Sequence, residues 1–161
     1  MRLAFHLLYN QLAWLYDIVA WLVSRGQWQA WGQAAMPYVE GRRVLEVGHG
    51  PGHLLSHLMR TGFKVVGLDR SKAMGELARQ LLLRSELTAP LVRGAALKLP
   101  FSAATFQTVV TTFPSDTIME SAALSEVRRV LESDGVLVIV PMASLTGNRF
   151  IDRGLELPPS R

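Results

Sequence analysis

The sequence contains no cysteine. This absence excludes a disulfide-stapled fold, a thiolate zinc site, an iron–sulfur cluster and every mechanism that uses a cysteine nucleophile. Glycine and proline, at 13 and 8 of 161 residues, are far too few for a fibrous or low-complexity chain. Because 49% of the residues are hydrophobic and only 19% are charged, we expect one globular domain with a buried core, alone or with a helical extension.

Lysine is scarce as well, and only Lys64, Lys72 and Lys98 are present. The net charge of +4 therefore comes mainly from arginine, whose largest groupings are the pairs Arg42–Arg43 and Arg128–Arg129. Neither pair lies in a longer basic run with interleaved aromatic residues. The sequence therefore indicates no nucleic-acid partner.

A long uninterrupted hydrophobic run is also absent. Residues 3–23 are rich in leucine, tryptophan and valine, but Asn10, Gln11 and Asp17 interrupt them. A membrane span needs about 20 consecutive apolar residues, and a signal peptide needs an apolar core followed by a small-residue cleavage site. Neither pattern is met, so we expect a soluble, cytoplasmic protein. Peripheral contact with a membrane through an amphipathic helix is the alternative that stays open.

Two helices are predicted before the first strand, over residues 3–24 and 27–37, because apolar residues recur there at helical spacing. Trp14, Trp21 and Trp28 fall seven residues apart and share nearly one helical face. We interpret this stripe as a packing seam rather than a cofactor site, because tryptophan on a helix usually packs against the rest of the domain.

From residue 43 onward, short β-branched runs alternate with helical stretches. The predicted strands are 44–47, 64–68, 91–93, 106–111 and 136–140. The predicted helices are 52–60, 71–85 and 117–131. This alternation predicts an α/β fold with right-handed crossovers and a doubly wound, mostly parallel sheet. The predicted organisation is a helical segment over 1–40, an α/β core over 41–141 and a tail over 142–161.

The most informative segment follows the first predicted strand. Gly48, Gly50 and Gly52 stand at alternate positions before a helix, where they allow a tight turn and the close approach of a ligand. The next strand ends in Asp69, 17 residues after Gly52, where a carboxylate can accept both hydroxyls of a ribose. A nicotinamide-binding loop needs Gly-x-Gly-x-x-Gly, and its third glycine would fall at His53. The nicotinamide fingerprint is therefore not met.

Five motifs in order carry a resemblance to a known family. They are Glu46-Val-Gly48-His-Gly50-Pro-Gly52, Asp69-Arg70-Ser71, Arg93-Gly-Ala-Ala-Leu-Lys-Leu-Pro-Phe101, Phe106-Gln-Thr-Val-Val110 and Glu126-Val-Arg-Arg-Val-Leu-Glu-Ser-Asp-Gly-Val-Leu137. Over residues 41–141 the sequence resembles the small-molecule branch of the class I S-adenosylmethionine (SAM)-dependent methyltransferases. The resemblance implies a Rossmann-like methyltransferase fold with about five strands in the order 3-2-1-4-5, and N-terminal helices that lie over the cofactor as a lid.

The resemblance also implies contacts at the methionine end of SAM. Gly48, Gly50 and Gly52 would line the methionine part of the cofactor. Glu46 would lie near its amino group, and His49 would lie beside the sulfonium as a contact rather than as a base.

At the nucleoside end, the resemblance implies that Asp69 holds the ribose hydroxyls and that Arg70 flanks the adenine. The backbone facing the adenine ring would come from Ala95, Ala96 and Leu97. Thr111 and Thr112, at the tip of the fourth strand, would face the reacting methyl group. Tyr16 is similar to a tyrosine in the N-terminal helix of many members, and it completes the implied cofactor contacts.

The sequence departs from the family pattern at three positions. Ala95 and Leu97 stand where acids are usual after the third strand, and Gln107 stands where the fourth strand usually carries an aspartate. A lost hydrogen bond that leaves its partner unsatisfied costs about 1–3 kcal/mol, so we expect SAM binding to be weakened rather than abolished. Relatives also continue beyond the fifth strand. Residues 136–140 are therefore expected to form an apolar edge that the tail, a second subunit or a missing segment must cover. Unless residues 142–161 fold back over this edge, we expect two chains to join there as a homodimer.

The sequence thus predicts a SAM-dependent methyltransferase that acts on a small-molecule or lipid-like acceptor, and it identifies no catalytic base. The alternative is a non-catalytic or truncated relative that acts through protein–protein contacts, and a nicotinamide oxidoreductase ranks third. His49, His53 and His57 fall four residues apart, but no acid completes a zinc motif, so no metal is expected. Ser115 and Asp116 lack the Gly-x-Ser-x-Gly turn of a hydrolase.

Overall fold

A computed structural model describes residues 28–114 and 116–141. The predicted helix over 3–24, the tail over 142–161 and Tyr16 lie outside these residues. The predicted tryptophan seam also lies outside the described side chains, and the domain bounds remain predictions.

Strands and helices alternate along the described chain. The strands are β1 (Arg43–Val47), β2 (Lys64–Asp69), β3 (Leu91–Arg93), β4 (Phe106–Thr112) and β5 (Leu131–Val140). The helices are α1 (Trp28–Gln33), α2 (His53–Arg60), α3 (Lys72–Arg84) and α4 (Ser121–Val130), with 3-10 turns at Met36–Tyr38 and Asp116–Met119. No helix within 28–114 or 116–141 is long and apolar enough to cross a membrane.

The five strands form one parallel sheet in the order β3-β2-β1-β4-β5. This confirms the predicted fold class and strand order. The chain moves outward from β1 to β3 and then returns to β4 on the other side of β1. The strand order therefore reverses between β1 and β4, and open α/β sheets bind ligands beyond the carboxyl ends of the strands at such a point.

Both faces of the central strands are buried by helices. Leu45 of β1 packs in one apolar cluster with Ala123 and Val127 of α4. Its neighbour Val44 packs on the opposite face with Leu55 of α2. Successive side chains of a strand point to opposite faces, so a strand covered on both sides reads as a continuous hydrophobic run.

Three elements differ from the sequence-based expectation. The helix predicted over 27–37 is α1 over Trp28–Gln33, followed by a turn and the 3-10 turn at Met36–Tyr38. Helix α4 begins at Ser121 rather than at 117, because the chain first forms the 3-10 turn and Glu120 then takes an extended backbone. Strand β5 begins at Leu131 rather than at 136. Its register with β4 shifts, so that Leu131 pairs with Phe106 and Val136 pairs with Thr108.

Gln107 lies at the amino end of β4, away from the edge where the strands' carboxyl ends meet. Its Oε1 accepts hydrogen bonds from the backbone N–H groups of Arg42 at 2.7 Å and Arg43 at 3.2 Å. The side chain therefore fastens the start of β1 to β4. This departure from the family pattern affects strand pairing, and it lies outside the candidate site.

Candidate functional site

The glycine loop connects β1 to α2 at the point where the strand order reverses. Gly52 has a φ of +88°, which L side chains rarely adopt, and a Cβ there would lie 2.9 Å from the Cβ of Ala78. Glycine is therefore required at this position by both the backbone and the packing against α3. Nothing lies within 4 Å of the position that a Cβ would take at Gly48. The loop thus exposes backbone that a ligand can approach.

Asp69 joins the glycine loop to the start of α3. It ends β2 and is 4% exposed. Its Oδ2 accepts a hydrogen bond from the N–H of Gly50 at 3.0 Å, and its Oδ1 accepts one from the N–H of Ser71 at 2.8 Å. A carboxylate can accept about four hydrogen bonds, so it can hold several donors at once.

Glu46 is the most unusual group at this edge of the sheet. It is 1% exposed, and its Oε2 has no hydrogen-bond partner, alone among the buried side-chain oxygens and nitrogens of the described residues. Burial raises the pKa of Glu46 well above its ordinary value, the charge of Asp69 raises it further, and the backbone N–H of Leu55 lowers it. Burial therefore favours the protonated form of Glu46 when no cation is nearby. Buried carboxyls with perturbed pKa values concentrate at functional sites.

His49 is buried within the loop as a neutral imidazole. Its Nδ1 lies 2.7 Å from the carbonyl oxygen of Gly50, and because a carbonyl only accepts, Nδ1 carries the proton. Burial lowers the pKa of His49, although Asp69 and the backbone oppose this change. The side chain therefore places no positive charge in the loop at neutral pH.

A tight turn follows β3 beside Asp69. The N–H of Gly94 donates to the carbonyl of Asp69 at 3.0 Å, and the N–H of Lys98 donates to the carbonyl of Ala95 at 3.2 Å. This turn contains Ala95 and Ala96, which are half-buried, and Leu97, which is exposed. The three residues predicted to face adenine therefore lie next to the end of β2.

The remaining predicted contacts lie around the same edge. Val110 of β4 pairs with Glu46, so Thr111 and Thr112 extend beyond the glutamate at the tip of β4. Thr111 is buried and Thr112 is half-buried. Arg70 is exposed, and its carbonyl accepts a hydrogen bond from the Nε of Arg93 at 3.1 Å.

Sequence reasoning assigned no role to Glu126 and Arg129 of α4, which reach the segment that follows the Ala95 turn. The spacing of opposite charges three residues apart on a helix indicates that Glu126 and Arg129 pair with each other. It gives no indication of their contacts with Leu99, which is distant in sequence.

His53 and His57 line a cleft of about 280 Å³ together with Arg60. The described residues contain no group of three or more acids and histidines placed to hold a metal ion.

Comparisons with known proteins identify the family to which the chain belongs. Residues 44–135, more than half of the chain, match the family model described as "Methyltransferase domain". The chain belongs to this methyltransferase family. Several of the solved structures that the chain resembles are described as SAM-dependent methyltransferases.

Among curated relatives, the ubiquinone/menaquinone biosynthesis C-methyltransferase UbiE of Geotalea uraniireducens is 27% identical over 146 residues, which cover 85% of this chain and 62% of that protein. The demethylmenaquinone methyltransferase of Thermobifida fusca is 31% identical over 145 residues, which cover 86% of this chain and 61% of that protein. The chain thus spans about three-fifths of the length of these relatives.

Among solved structures, the PH0226 protein of Pyrococcus horikoshii is 29% identical and superposes with a TM-score of 0.64, over 71% of this chain and 56% of that one. A SAM-dependent methyltransferase of Aquifex aeolicus is 24% identical with a TM-score of 0.60, over 67% of this chain and 62% of that one. The second likeness supports the fold alone.

Proposed function

We propose that this chain binds SAM at the carboxyl ends of β1 and β2 and transfers its methyl group to a small, lipid-like acceptor. The observation that carries the proposal is the buried, unpartnered Oε2 of Glu46 beside Asp69 and the glycine loop. A buried carboxyl without a partner costs free energy unless a ligand supplies a donor.

The residues at the methionine end fit this cofactor. The α-ammonium group of SAM offers the cation that the Glu46 carboxyl lacks. The open space at Gly48 lets the amino acid approach the backbone without meeting a side chain. When the ammonium arrives, the Glu46 carboxyl is expected to release its proton and accept a charge-assisted hydrogen bond.

The nucleoside end would be held by Asp69 and by the backbone of the Ala95 turn. Hydrogen bonds from two backbone N–H groups already fix the orientation of the Asp69 carboxylate, and ribose hydroxyls would be further donors to it. With alanine at position 95, no side-chain carboxylate there can accept from the adenine amino group, so recognition of the base would rely on backbone groups. Arg70 would flank the ring.

The chemistry follows from positioning. SAM supplies an electrophilic methyl group bonded to a sulfonium, and a nucleophilic atom of the acceptor can take this methyl group by in-line displacement. This chain's residues orient the donor, exclude water and leave the reacting end free of added positive charge, because the buried His49 is neutral. Thr111 and Thr112 would border the reacting group at the tip of β4. No side chain is assigned as a base.

The acceptor is inferred from the relatives. The Geotalea relative is named as a C-methyltransferase of ubiquinone and menaquinone biosynthesis, and the Thermobifida relative is named as a demethylmenaquinone methyltransferase. A small lipid-like acceptor therefore suits this chain, and such an acceptor also favours peripheral contact with a membrane surface.

Calorimetry with S-adenosylhomocysteine (SAH) tests the cofactor site, and transfer of labelled methyl from SAM to a demethylated naphthoquinone tests the reaction. Failure to bind SAH would contradict the proposal, and SAH binding without transfer to any quinone or lipid would favour a non-catalytic relative.

We further propose that two chains join through β5. In the described sheet β5 is an end strand, and its last five residues are all apolar, namely Val136, Leu137, Val138, Ile139 and Val140. An apolar end strand offers unpaired backbone groups to another strand. Sedimentation over a wide concentration range tests this, and a monomer at every concentration would contradict it.

A further inference from the structure

Glu126 and Arg129 form a two-point ion pair on α4. The Nε of Arg129 donates to Oε1 of Glu126 at 2.7 Å, and its Nη2 donates to Oε2 at 2.8 Å. The two planar groups therefore meet along parallel hydrogen bonds, which fixes their relative orientation as well as their distance.

The same pair holds the backbone that leaves the Ala95 turn. Oε2 of Glu126 accepts from the N–H of Leu99 at 2.7 Å, while Nη2 of Arg129 donates to the carbonyl of Leu99 at 2.9 Å. The Nη1 of Arg129 donates to the carbonyl of Phe101 at 2.7 Å. Two charged groups thus bind both polar backbone groups of Leu99 and one of Phe101. The Leu99 side chain is 3% exposed and lies in the core, so this point of the chain is held from two directions.

The pair stays charged across the working pH range. Hydrogen bonding to Arg129, and then to the N–H of Leu99, lowers the pKa of Glu126 to about 2. Hydrogen bonding to Glu126 raises the pKa of Arg129. The contacts to Leu99 and Phe101 are therefore independent of pH under ordinary conditions.

The turn between β3 and this anchor has its other end tied to Asp69, through the N–H of Gly94. Ala95, Ala96 and Leu97 lie between the two fixed points. Because position 95 carries no acid, the proposed contact with adenine depends on where the backbone of this turn lies. A shift of about 1 Å is enough to break a hydrogen bond of ordinary length.

We propose that Glu126 and Arg129 are positioning residues that set the backbone of the Ala95 turn for recognition of the adenine base. This inference rests on the proposed SAM site. It assigns the pair no contact with the cofactor, since it acts through Leu99.

The test compares Arg129→Lys with a matched control, Arg43→Lys. Lysine keeps the charge but cannot reach Glu126, Leu99 and Phe101 together. Arg43 is also a surface arginine paired with a glutamate, Glu132, and its Nε donates to the carbonyl of Thr105 at 3.0 Å, but it lies at the amino ends of the strands. Both variants remove a bridging guanidinium, and only one of the two lies beside the adenine turn.

Each protein is titrated with SAH and with S-inosylhomocysteine, in which an oxo group replaces the adenine amine. Titrations are run well below the unfolding temperature, with circular dichroism confirming the fold. We expect Arg129→Lys to weaken SAH binding about tenfold and to reduce the preference for SAH over the inosine analogue. The reason is that the backbone of a displaced turn no longer accepts a hydrogen bond from the adenine amine. Arg43→Lys should keep both values within about twofold while lowering the unfolding temperature.

A loss of preference is not expected from lower stability alone, so it separates positioning from a structural role. Unchanged affinity and preference in a folded Arg129→Lys would overturn the inference while leaving the SAM site intact. A parent chain that does not bind SAH would instead refute the proposed function. If Arg129→Lys does not fold, Glu126→Gln supplies the same comparison, because the amide keeps an acceptor for Leu99 but loses the charge that Arg129 binds.

Discussion

Replacing Glu46 by glutamine separates the stability of the chain from its binding of SAM. Glutamine has nearly the same shape and stays neutral, so it removes the ionisation and leaves the packing in place. The unfolded chain carries Glu46 at its ordinary pKa of 4.5, whereas burial raises the pKa of the folded chain well above this value. Between the two values the folded chain binds more protons than the unfolded chain, and its stability must fall as the pH rises.

The size of this effect is set by one proton. The free energy of unfolding of the parent should decline by up to about 1.4 kcal/mol per pH unit above 4.5, until the pH reaches the pKa of the folded state. Glu46→Gln should lack this decline and be more stable at neutral pH. His49, whose pKa is lowered by burial, gives the opposite slope below its ordinary 6.5, and this contribution cancels when the two proteins are compared.

The affinity for SAH should change in the opposite direction to the stability, and Glu46→Gln should weaken it. Loss of a charge-assisted hydrogen bond to the ammonium group costs about 1.5–3 kcal/mol, so Glu46→Gln should bind SAH at least tenfold more weakly. Affinity of the parent should rise with pH, because binding of the ammonium releases the proton of Glu46. The control is Glu76→Gln on the exposed face of α3, which should change neither stability nor affinity.

Urea unfolding between pH 5 and 8 and calorimetry with SAH provide both measurements. Equal pH slopes for parent and variant would show that Glu46 is not held protonated. A stabilised variant with unchanged SAH affinity would show that the buried carboxyl does not meet the ammonium.

The remaining predictions concern the nucleoside end of the site and the edge of the sheet. Asp69→Ala should weaken SAH binding more than tenfold, or by about 1.5–3 kcal/mol, and unchanged binding in calorimetry would mean that the site lies elsewhere. Ala95→Asp should tighten SAH binding by about 1 kcal/mol, because it adds an acceptor for the adenine amine, and a weaker dissociation constant would mean that the turn follows another course. The carbonyl of Val140 accepts a hydrogen bond from the N–H of Phe113, which follows β4, so the backbone groups of Val140 face β4 and the N–H of Ile139 faces away from the sheet. Ile139→Pro removes this outward donor and should reduce the association of two chains measured by sedimentation. An association constant unaffected by this change would argue against pairing through β5.

Much of the fold follows from local patterns in the sequence. Strand β1 is buried on both faces and therefore reads as a hydrophobic run, and glycines must follow it where φ is positive and α3 packs closely. Glu46 and Asp69 lie near the ends of adjacent parallel strands, so their proximity follows once the strand order is known. The strand order itself follows from the alternation of strands and helices together with the family resemblance.

Other features depend on tertiary packing, which local patterns do not carry. The bonds of Asp69 to the glycine loop require the register of β2 beside β1, and the anchor at Leu99 requires α4 to lie alongside a turn some 30 residues earlier in the chain. Strand β5 extends back to Leu131 because its register with β4 shifts, and charged residues within 131–135 hide this extension from a hydrophobicity pattern.

Two glutamates connected with the proposed site, Glu46 and Glu126, are arranged in opposite ways. Glu46 is buried and has an oxygen without a partner, and an ammonium group would relieve this free-energy cost. Glu126 is half-buried and paired, and its charge holds the backbone that leaves the Ala95 turn. In the proposed site, the methionine end would therefore favour a cation, whereas the adenine end would be preorganised. It follows that the pH dependence of binding should belong to the amino-acid half of SAH, and that affinity for the nucleoside half should vary little between pH 5 and 8.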